Sequence, residues 1–387
     1  MSKLYSQVID FLEENNRCFL RLKQTGSPAK PVAVSIAVTG RCNSGCIMCS
    51  IWKLSKTNHD LLDREMQIQD ILKLLHDPFL NDLVEIDITG GEPHLRDDLV
   101  EIVFAVAELK KSVLPKLKTI IVPSNGLLTK KILQRTQMIL KYLKNTGIDF
   151  VSVTSLDGLG PVHDTIRGIR GSYEKTSKTI AGLVDLKKEY PGYFWPGIKT
   201  TVSRTNIHQL ESIFDFAAGN QLFSIISAVI ITQSRFRNLE FKKHLELGPN
   251  ELDKIKAFYA SVELEHDFYA SKIRDSMING QRQWTCTAGY NYAFIDFDKK
   301  VYPCPIQDVC LGDLNHDTFG DIMTGEKACL IRQQVGSYPL CRQCTEPGTI
   351  RYSQILQGSE LLNFLKVSDM KRFQEAVVGH GLHKFLS

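Results

Sequence analysis

Cys42-Asn43-Ser44-Gly45-Cys46-Ile47-Met48-Cys49 places three thiols within eight residues, spaced C-x3-C-x2-C. Thiolates are soft ligands that favour zinc and iron–sulfur clusters. A structural zinc wants four protein ligands in a closed tetrahedron. Three cysteines around a four-iron cubane instead leave one iron open to a small molecule. On the octapeptide alone, zinc with a remote fourth ligand is the competing reading.

Working outward, Val32, Val34, Ile36 and Val38 alternate like a first strand, so the thiols sit on the loop after it. Strands then alternate with helices. Residues 83–89, 119–123, 149–155, 198–203 and 224–231 read as strands two to six. Between them, helical spacing covers 66–75, 97–111, 129–145 and 172–188, and a further helix after Asn206 carries Leu210, Ile213, Phe214 and Ala217. Six βα units in a row predict a parallel sheet wrapped by helices, either open or closed into part of a barrel. In parallel barrels the working groups lie at the carboxyl ends of strands. The cysteine loop, Thr89-Gly90-Gly91-Glu92-Pro93, Ser124-Asn125-Gly126 and Ser155-Leu156-Asp157-Gly158 follow strands one to four, so all four converge on one mouth.

The 387 residues, 43% of them hydrophobic, suffice for one large α/β domain and a smaller one. A net charge of +4 without a lysine or arginine run gives no reason to expect a nucleic-acid partner. Met1 to Asp10 lacks the apolar core of a secretory signal, and no stretch reaches the length of a membrane span. The expected location is cytoplasmic, where ten cysteines point to metal or catalytic chemistry rather than disulfides.

A second set of thiols, Cys286, Cys304, Cys341 and Cys344, follows a change of pattern near Gly248-Pro249-Asn250, where a long helical stretch runs to about Met277. Tyr292 to Tyr302 reads as a β-hairpin between Cys286 and Cys304. Four cysteines can enclose a cluster with no open iron, or bind zinc. Cys310 is a rival ligand for Cys286 or Cys304, while Cys18 and Cys329 sit alone as packing residues.

Together these motifs resemble the radical SAM superfamily. Cys42, Cys46 and Cys49 match its cluster signature, with Met48 where an aromatic residue is usual. Gly90-Gly91-Glu92-Pro93 resembles its GGEP motif, and Ser155 with Arg167 resembles the pair that holds the SAM carboxylate in members with SPASM or twitch extensions. The second cysteine set resembles the twitch form, with one auxiliary [4Fe-4S] cluster. The resemblance implies a (β/α)6 partial TIM barrel with a small cysteine-rich α+β domain. It implies a [4Fe-4S] cluster on Cys42, Cys46 and Cys49 that binds and reductively cleaves S-adenosyl-L-methionine. The resulting 5′-deoxyadenosyl radical would abstract hydrogen from a small-molecule or peptide substrate, a net oxidation with the auxiliary cluster as electron acceptor. A peptide-modifying maturase and a non-catalytic electron carrier are the alternatives. Contacts to SAM fall on Met48, Gly90, Gly91, Glu92, Pro93, Ser124, Asn125, Ser155 and Arg167, and reduced ferredoxin or flavodoxin is the implied donor. Asp157, His163 and Asp164 read as supports, and His94 as structural.

The expected division is a helical extension over 1–30, a core over 31–245, a linker helix and auxiliary domain over 246–350, and a helical tail over 351–387. That tail reads as a cover for the barrel or a partner surface. Gln233, Arg235 and Arg237, after strand six, are candidates to reach the mouth, where two arginines would favour a carboxylate or phosphate. A solvated loop is the plain alternative there, and Lys199 and Thr201 are weaker candidates.

Overall fold

The computed structural model describes residues 3–233, 235–261 and 267–386. Six parallel strands form the barrel: β1 (Ala33–Ala37), β2 (Glu85–Thr89), β3 (Thr119–Ser124), β4 (Asp149–Ser155), β5 (Phe194–Val202) and β6 (Phe223–Ala228). Three more complete the sheet: β7 (Tyr292–Ile295), β8 (Lys300–Tyr302) and β9 (Gly312–Asp313). The order is β6-β5-β4-β3-β2-β1-β7-β8-β9. The sheet ends at β6 without closing, which is the expected (β/α)6 partial barrel.

β1 explains the arrangement. All five of its residues are buried, as suits a strand covered on both faces. It pairs in parallel with β2 on one edge and with β7 on the other. The hairpin is therefore not a detached module, because the barrel sheet runs straight into it. Helices Ile68–Leu75, Leu99–Glu108, Thr129–Leu143 and Ser172–Glu189 cover the outer face. Their Ile71, Val103, Ile139 and Leu183 share one core with Val34, Ile86 and Ile120 of the strands.

Three elements differ from the sequence reading. The first helix runs over Lys3–Thr25, well beyond the short amphipathic stretch at 4–12. Asn15 and Asn16 interrupt its apolar stripe, but Asn15 Nδ2 donates to Ile355 O at 3.0 Å and Phe19 buries against Tyr290. The stretch from Gly248 forms two helices, Pro249–Ser261 and Phe268–Asn279, and residues 262–266 lie outside the described residues. Strand six stops at Ala228, because Ile230 to Asn238 turns back over the cysteine loop.

The tail covers the amino ends of the strands. Helices Pro347–Leu356 and Ser359–Val367 pack with the first helix, joining Val8 and Leu12 to Ile355, Leu361 and Leu365 in one core. Two ion pairs anchor it: Arg351 to the buried Glu85 at 2.7 Å, and Lys384 to Asp149 at 2.5 Å. Tyr352 also bonds Glu85 through its hydroxyl. Among the described residues, no helix is long and apolar enough to cross a membrane.

Removing one partner of a buried pair strands the other charge, at a cost of roughly 3–5 kcal/mol. Arg351→Ala should therefore lower stability by about 3 kcal/mol in urea unfolding. An unchanged midpoint would mean that apolar packing alone docks the tail.

Candidate active site

The cysteine loop is held from three sides by backbone contacts. Gly45 N and Ile47 N donate to Arg167 O and Ile166 O at 2.9 and 3.0 Å, at the end of helix Pro161–Arg167. That helix ends in Gly168, at φ +66°, which presses so closely on Gly45 that a Cβ would strike its carbonyl oxygen. From the second side, Gly91 N and Glu92 N donate to Thr39 O and Arg41 O at 2.7 and 2.8 Å. A Cβ at Gly90 or Gly91 would collide with those same carbonyls. The two glycines thus let β2's loop press on the cysteine loop's own backbone. From the third side, Ser50 N donates to Phe236 O, and buried Asn238 donates to Met48 O at 2.8 Å.

Glu92 is buried and points back into the loop ends. Its carboxylate accepts from His94 N at 3.1 Å, Ser124 Oγ at 3.2 Å and Asn125 N at 2.7 Å. Burial nevertheless pushes its pKa up to about 7, against those hydrogen bonds. Pro93 opens the short turn that Glu92 caps. Asn125 reaches across with its side-chain amide to Asn43 Oδ1 at 2.8 Å.

Arg167 is buried and forms an ion pair with the fully buried Asp157, while its Nη1 donates to Cys46 Sγ at 3.5 Å. Burial opposes the guanidinium charge, but Asp157 and Cys46 outweigh it and raise its pKa. Arg167 Nε is buried with no partner among the described residues. Asp157 accepts from Thr201 N at 2.7 Å, and Asp157 N donates to His163 Nδ1 at 3.2 Å. Burial keeps His163 neutral, at a pKa of about 3. Asp164 instead caps the next helix through Gly171 N and Tyr173 N. Ser155, at the end of β4, is half-buried and its side chain makes no hydrogen bond among the described residues. Met48 packs in an apolar cluster with Cys46, Ile166 and Leu245. His94 is buried, with its pKa driven to about 3 by burial, so it faces no open mouth.

All ten cysteines are free thiols. Burial raises Cys42 to about 12 and Cys49 to about 11, and Cys46 adds to both. In the second set Cys286, Cys304, Cys341 and Cys344 are all buried and share one region, where burial and neighbouring thiols raise Cys304 strongly and Cys344 to about 12. Desolvated thiols that crowd one another favour a bound soft cation, so both sets fit iron–sulfur ligation. Cys310 stands apart from the four: its thiol donates to Gly312 O at 3.1 Å, and its charged neighbours are Lys327 and Lys300.

A cleft of about 390 Å³ lies beside the cysteine loop and the hairpin. Ile51, Leu54 and Leu61 form its cysteine-loop side, and Phe294, Phe297 and Tyr302 its hairpin side. Those same six residues cluster with Cys42 and Cys49. Across the cleft, Gln307 donates to Cys341 Sγ at 3.1 Å. Gln233, Arg235 and Arg237 line it, as their place after strand six predicted. The anion-binding expectation for Arg235 does not hold: Asp296 occupies it at 3.1 and 3.2 Å, and it lies 4.4 Å over the Phe294 ring. Lys199 lies 3.8 Å from Glu346. Asp296, Gln307 and Asn238 carry no sequence signal, because each acquires its role only through a partner far along the chain.

Residues 36–199 match the Radical SAM superfamily, and residues 286–345 match SPASM, an iron–sulfur cluster-binding domain. The sporulation killing factor maturation protein SkfB of Bacillus subtilis is 24% identical over 298 residues, covering 76% of this chain and 64% of its own length. This chain thus spans just under two thirds of that relative. AdoMet-dependent heme synthase of Methanosarcina barkeri is 24% identical over 364 residues, 88% of this chain and 94% of its own. The crystal structure of Streptococcus suis SuiB bound to precursor peptide SuiA aligns with a TM-score of 0.55 at 16% identity, covering 82% of this chain and 70% of that one. At that identity the likeness is one of fold. The chain carries a radical SAM domain, which binds a [4Fe-4S] cluster and SAM, followed by a SPASM domain, which binds auxiliary iron–sulfur clusters.

The raised pKa of Glu92 has a signed consequence. Its folded value near 7 lies above the unfolded value near 4.5, so the stability it contributes is full below pH 4.5 and lost as pH rises through 7. In iron-free protein, wild type should lose on the order of 3 kcal/mol relative to Glu92→Gln between pH 4.5 and 7.5. Parallel stability curves for the two would show that Glu92 is already ionised in that range.

Proposed function

We propose that this chain, with its radical SAM domain followed by a SPASM domain, oxidises by two electrons a carbon of a peptide side chain or of a small molecule of that size. Bound S-adenosylmethionine on a reduced [4Fe-4S] cluster supplies a 5′-deoxyadenosyl radical for hydrogen abstraction, and an auxiliary [4Fe-4S] cluster accepts the second electron.

Cys42, Cys46 and Cys49 would hold the first cluster, and Cys286, Cys304, Cys341 and Cys344 the auxiliary one. Glu92 is set for an ammonium group, since three donors already fix its carboxylate in place. A cation there would also relieve its unfavourable burial. Ser124 and Asn125 act here through Glu92 and Asn43 and shape the floor. Arg167, with an unpartnered Nε, and Ser155, with an uncommitted hydroxyl, are the groups for a carboxylate. Gly90, Gly91 and Pro93 set the loop that presents Glu92, and Met48 supplies apolar bulk. The cleft walls exclude water from a reactive carbon.

The observation that supports this reading is a cleft whose lining touches both thiol sets, Phe294, Phe297 and Tyr302 clustering with Cys42 and Cys49 while Gln307 bonds Cys341. The relatives named for a maturation protein and a precursor peptide favour a peptide substrate. A substrate with several carboxylates, such as a tetrapyrrole, would need free cations, whereas Arg235 and Lys300 are already paired. A non-catalytic electron carrier would leave the fixed carboxylate of Glu92 without a use. Reduced ferredoxin or flavodoxin would supply the first electron, and the cytoplasm would protect oxygen-labile clusters.

Anaerobic reconstitution tests the assignment. Wild type with SAM and dithionite should form 5′-deoxyadenosine, while a Cys42→Ala, Cys46→Ala, Cys49→Ala variant should form none and bind about four fewer irons. Replacing the other four cysteines should remove a similar number. Iron content unchanged by either set would sink the corresponding cluster assignment.

A further inference from the structure

The chemistry left over in the cleft narrows what can occupy it. Its volume of about 390 Å³ suits one large side chain. The walls are apolar and partly aromatic, and the charged lining is balanced, with Arg235, Arg237 and Lys300 against Asp296, Asp298 and Asp308. Arg235 is held by Asp296, and Lys300 Nζ lies 2.7 Å from Asp298 Oδ2. An entering anion would have to displace a carboxylate from one of these pairs. An entering cation would meet Lys300 and Arg235. Charge therefore selects for neither.

One buried polar atom of the lining lacks a partner among the described residues, and it is an acceptor. Asp298 lines the cleft and is only 9% exposed, yet its Oδ1 is buried with no hydrogen-bond partner among the described residues. A buried carboxylate oxygen without a donor is unfavourable, and a ligand that brings one relieves it. Gln307, also buried in the lining, donates one N–H to Cys341 Sγ.

We infer that the cleft takes an uncharged side chain with an apolar, flat body and an N–H donor, of the indole or amide type, and that Asp298 is the residue that selects it. The inference rests on the proposed radical chemistry, since it names the substrate class of that same site. Asp298 acts as an acceptor that distinguishes a donor-bearing ring from an equally apolar one. Sites built to bond a donor reject analogues that lack it far more strongly than apolar pockets reject a change of size. Acidic and phosphorylated groups are excluded by the paired cations.

The test uses cluster-loaded, SAM-bound protein and ligand-observed NMR titration. The probes are N-acetyl-tryptophanamide, its benzothiophene analogue, in which sulfur replaces the indole N–H, and N-acetyl-glutamate amide. Wild type should bind the indole at least tenfold more tightly than the benzothiophene, and the glutamate probe weakest. The variant Asp298→Leu with Lys300→Met removes the pair without leaving a lone charge, and should bring the first two probes within threefold of each other. Equal binding of indole and benzothiophene by wild type overturns the inference even if that variant does not fold. Tightest binding of the glutamate probe, discrimination retained in the variant, or no binding of any probe at 10 mM would each overturn it as well. Formation of 5′-deoxyadenosine by the same wild-type preparation is scored separately, so failure of the selectivity and failure of the radical chemistry can be told apart.

Discussion

β1 is hydrogen-bonded along both edges, to β2 on one side and to β7 on the other, and the site depends on that double pairing. All five residues of this strand are buried, so a slip in register would force both of its close-packed faces to repack. The cysteine loop leaves directly from its carboxyl end. Pairing with β2 sets the Gly90-Gly91-Glu92 loop against one flank of that loop. Pairing with β7 sets the hairpin, and through Cys304 the second thiol set, against the other. One cleft is thereby lined by neighbours of two thiol groups that lie more than two hundred residues apart in the chain.

Buried charge is handled by a consistent rule around the site. Arg167 is tied to Asp157, Arg235 to Asp296, Lys300 to Asp298 and Arg351 to Glu85. A lone buried charge is costly, so each guanidinium or ammonium brings its carboxylate. Two of the buried polar atoms without a partner among the described residues lie beside the site: Arg167 Nε near the cysteine loop and Asp298 Oδ1 in the cleft lining. Glu92 belongs with these, since three donors orient its carboxylate and still leave it uncomfortable when ionised. Such groups are poised for a counter-charge or a donor, and the rest of the wall is closed to both.

Much of the architecture was legible from local patterns. Alternating strands and 3.6-residue helical stripes predicted six βα units, and the strand-end rule put the four loops together before any coordinates. Cys42, Cys46 and Cys49 stand out because their spacing within one loop is itself the signal, and Glu92 because Gly90-Gly91-Glu92-Pro93 resembles a family motif. The apolar spacing of Leu4, Val8, Phe11 and Leu12 marks a helix only over 4–12, whereas the structure carries it to Thr25, with Asn15 bonded to the carbonyl of Ile355. The anion expectation for Arg235 failed for a similar reason. A sequence shows the cation but not the Asp296 that neutralises it.

By itself the sequence determined the strand and helix order, the two thiol sets and the loops able to serve them, because these follow from residue type and short-range spacing. The tertiary structure decided that the auxiliary hairpin joins β1 instead of forming a separate module. It also decided that the tail seals the amino ends of the strands and that Asp296 meets Arg235 in the cleft. Those outcomes depend on which edge of a strand is free and which charges meet after collapse. Pairings across such distances leave no local pattern to read.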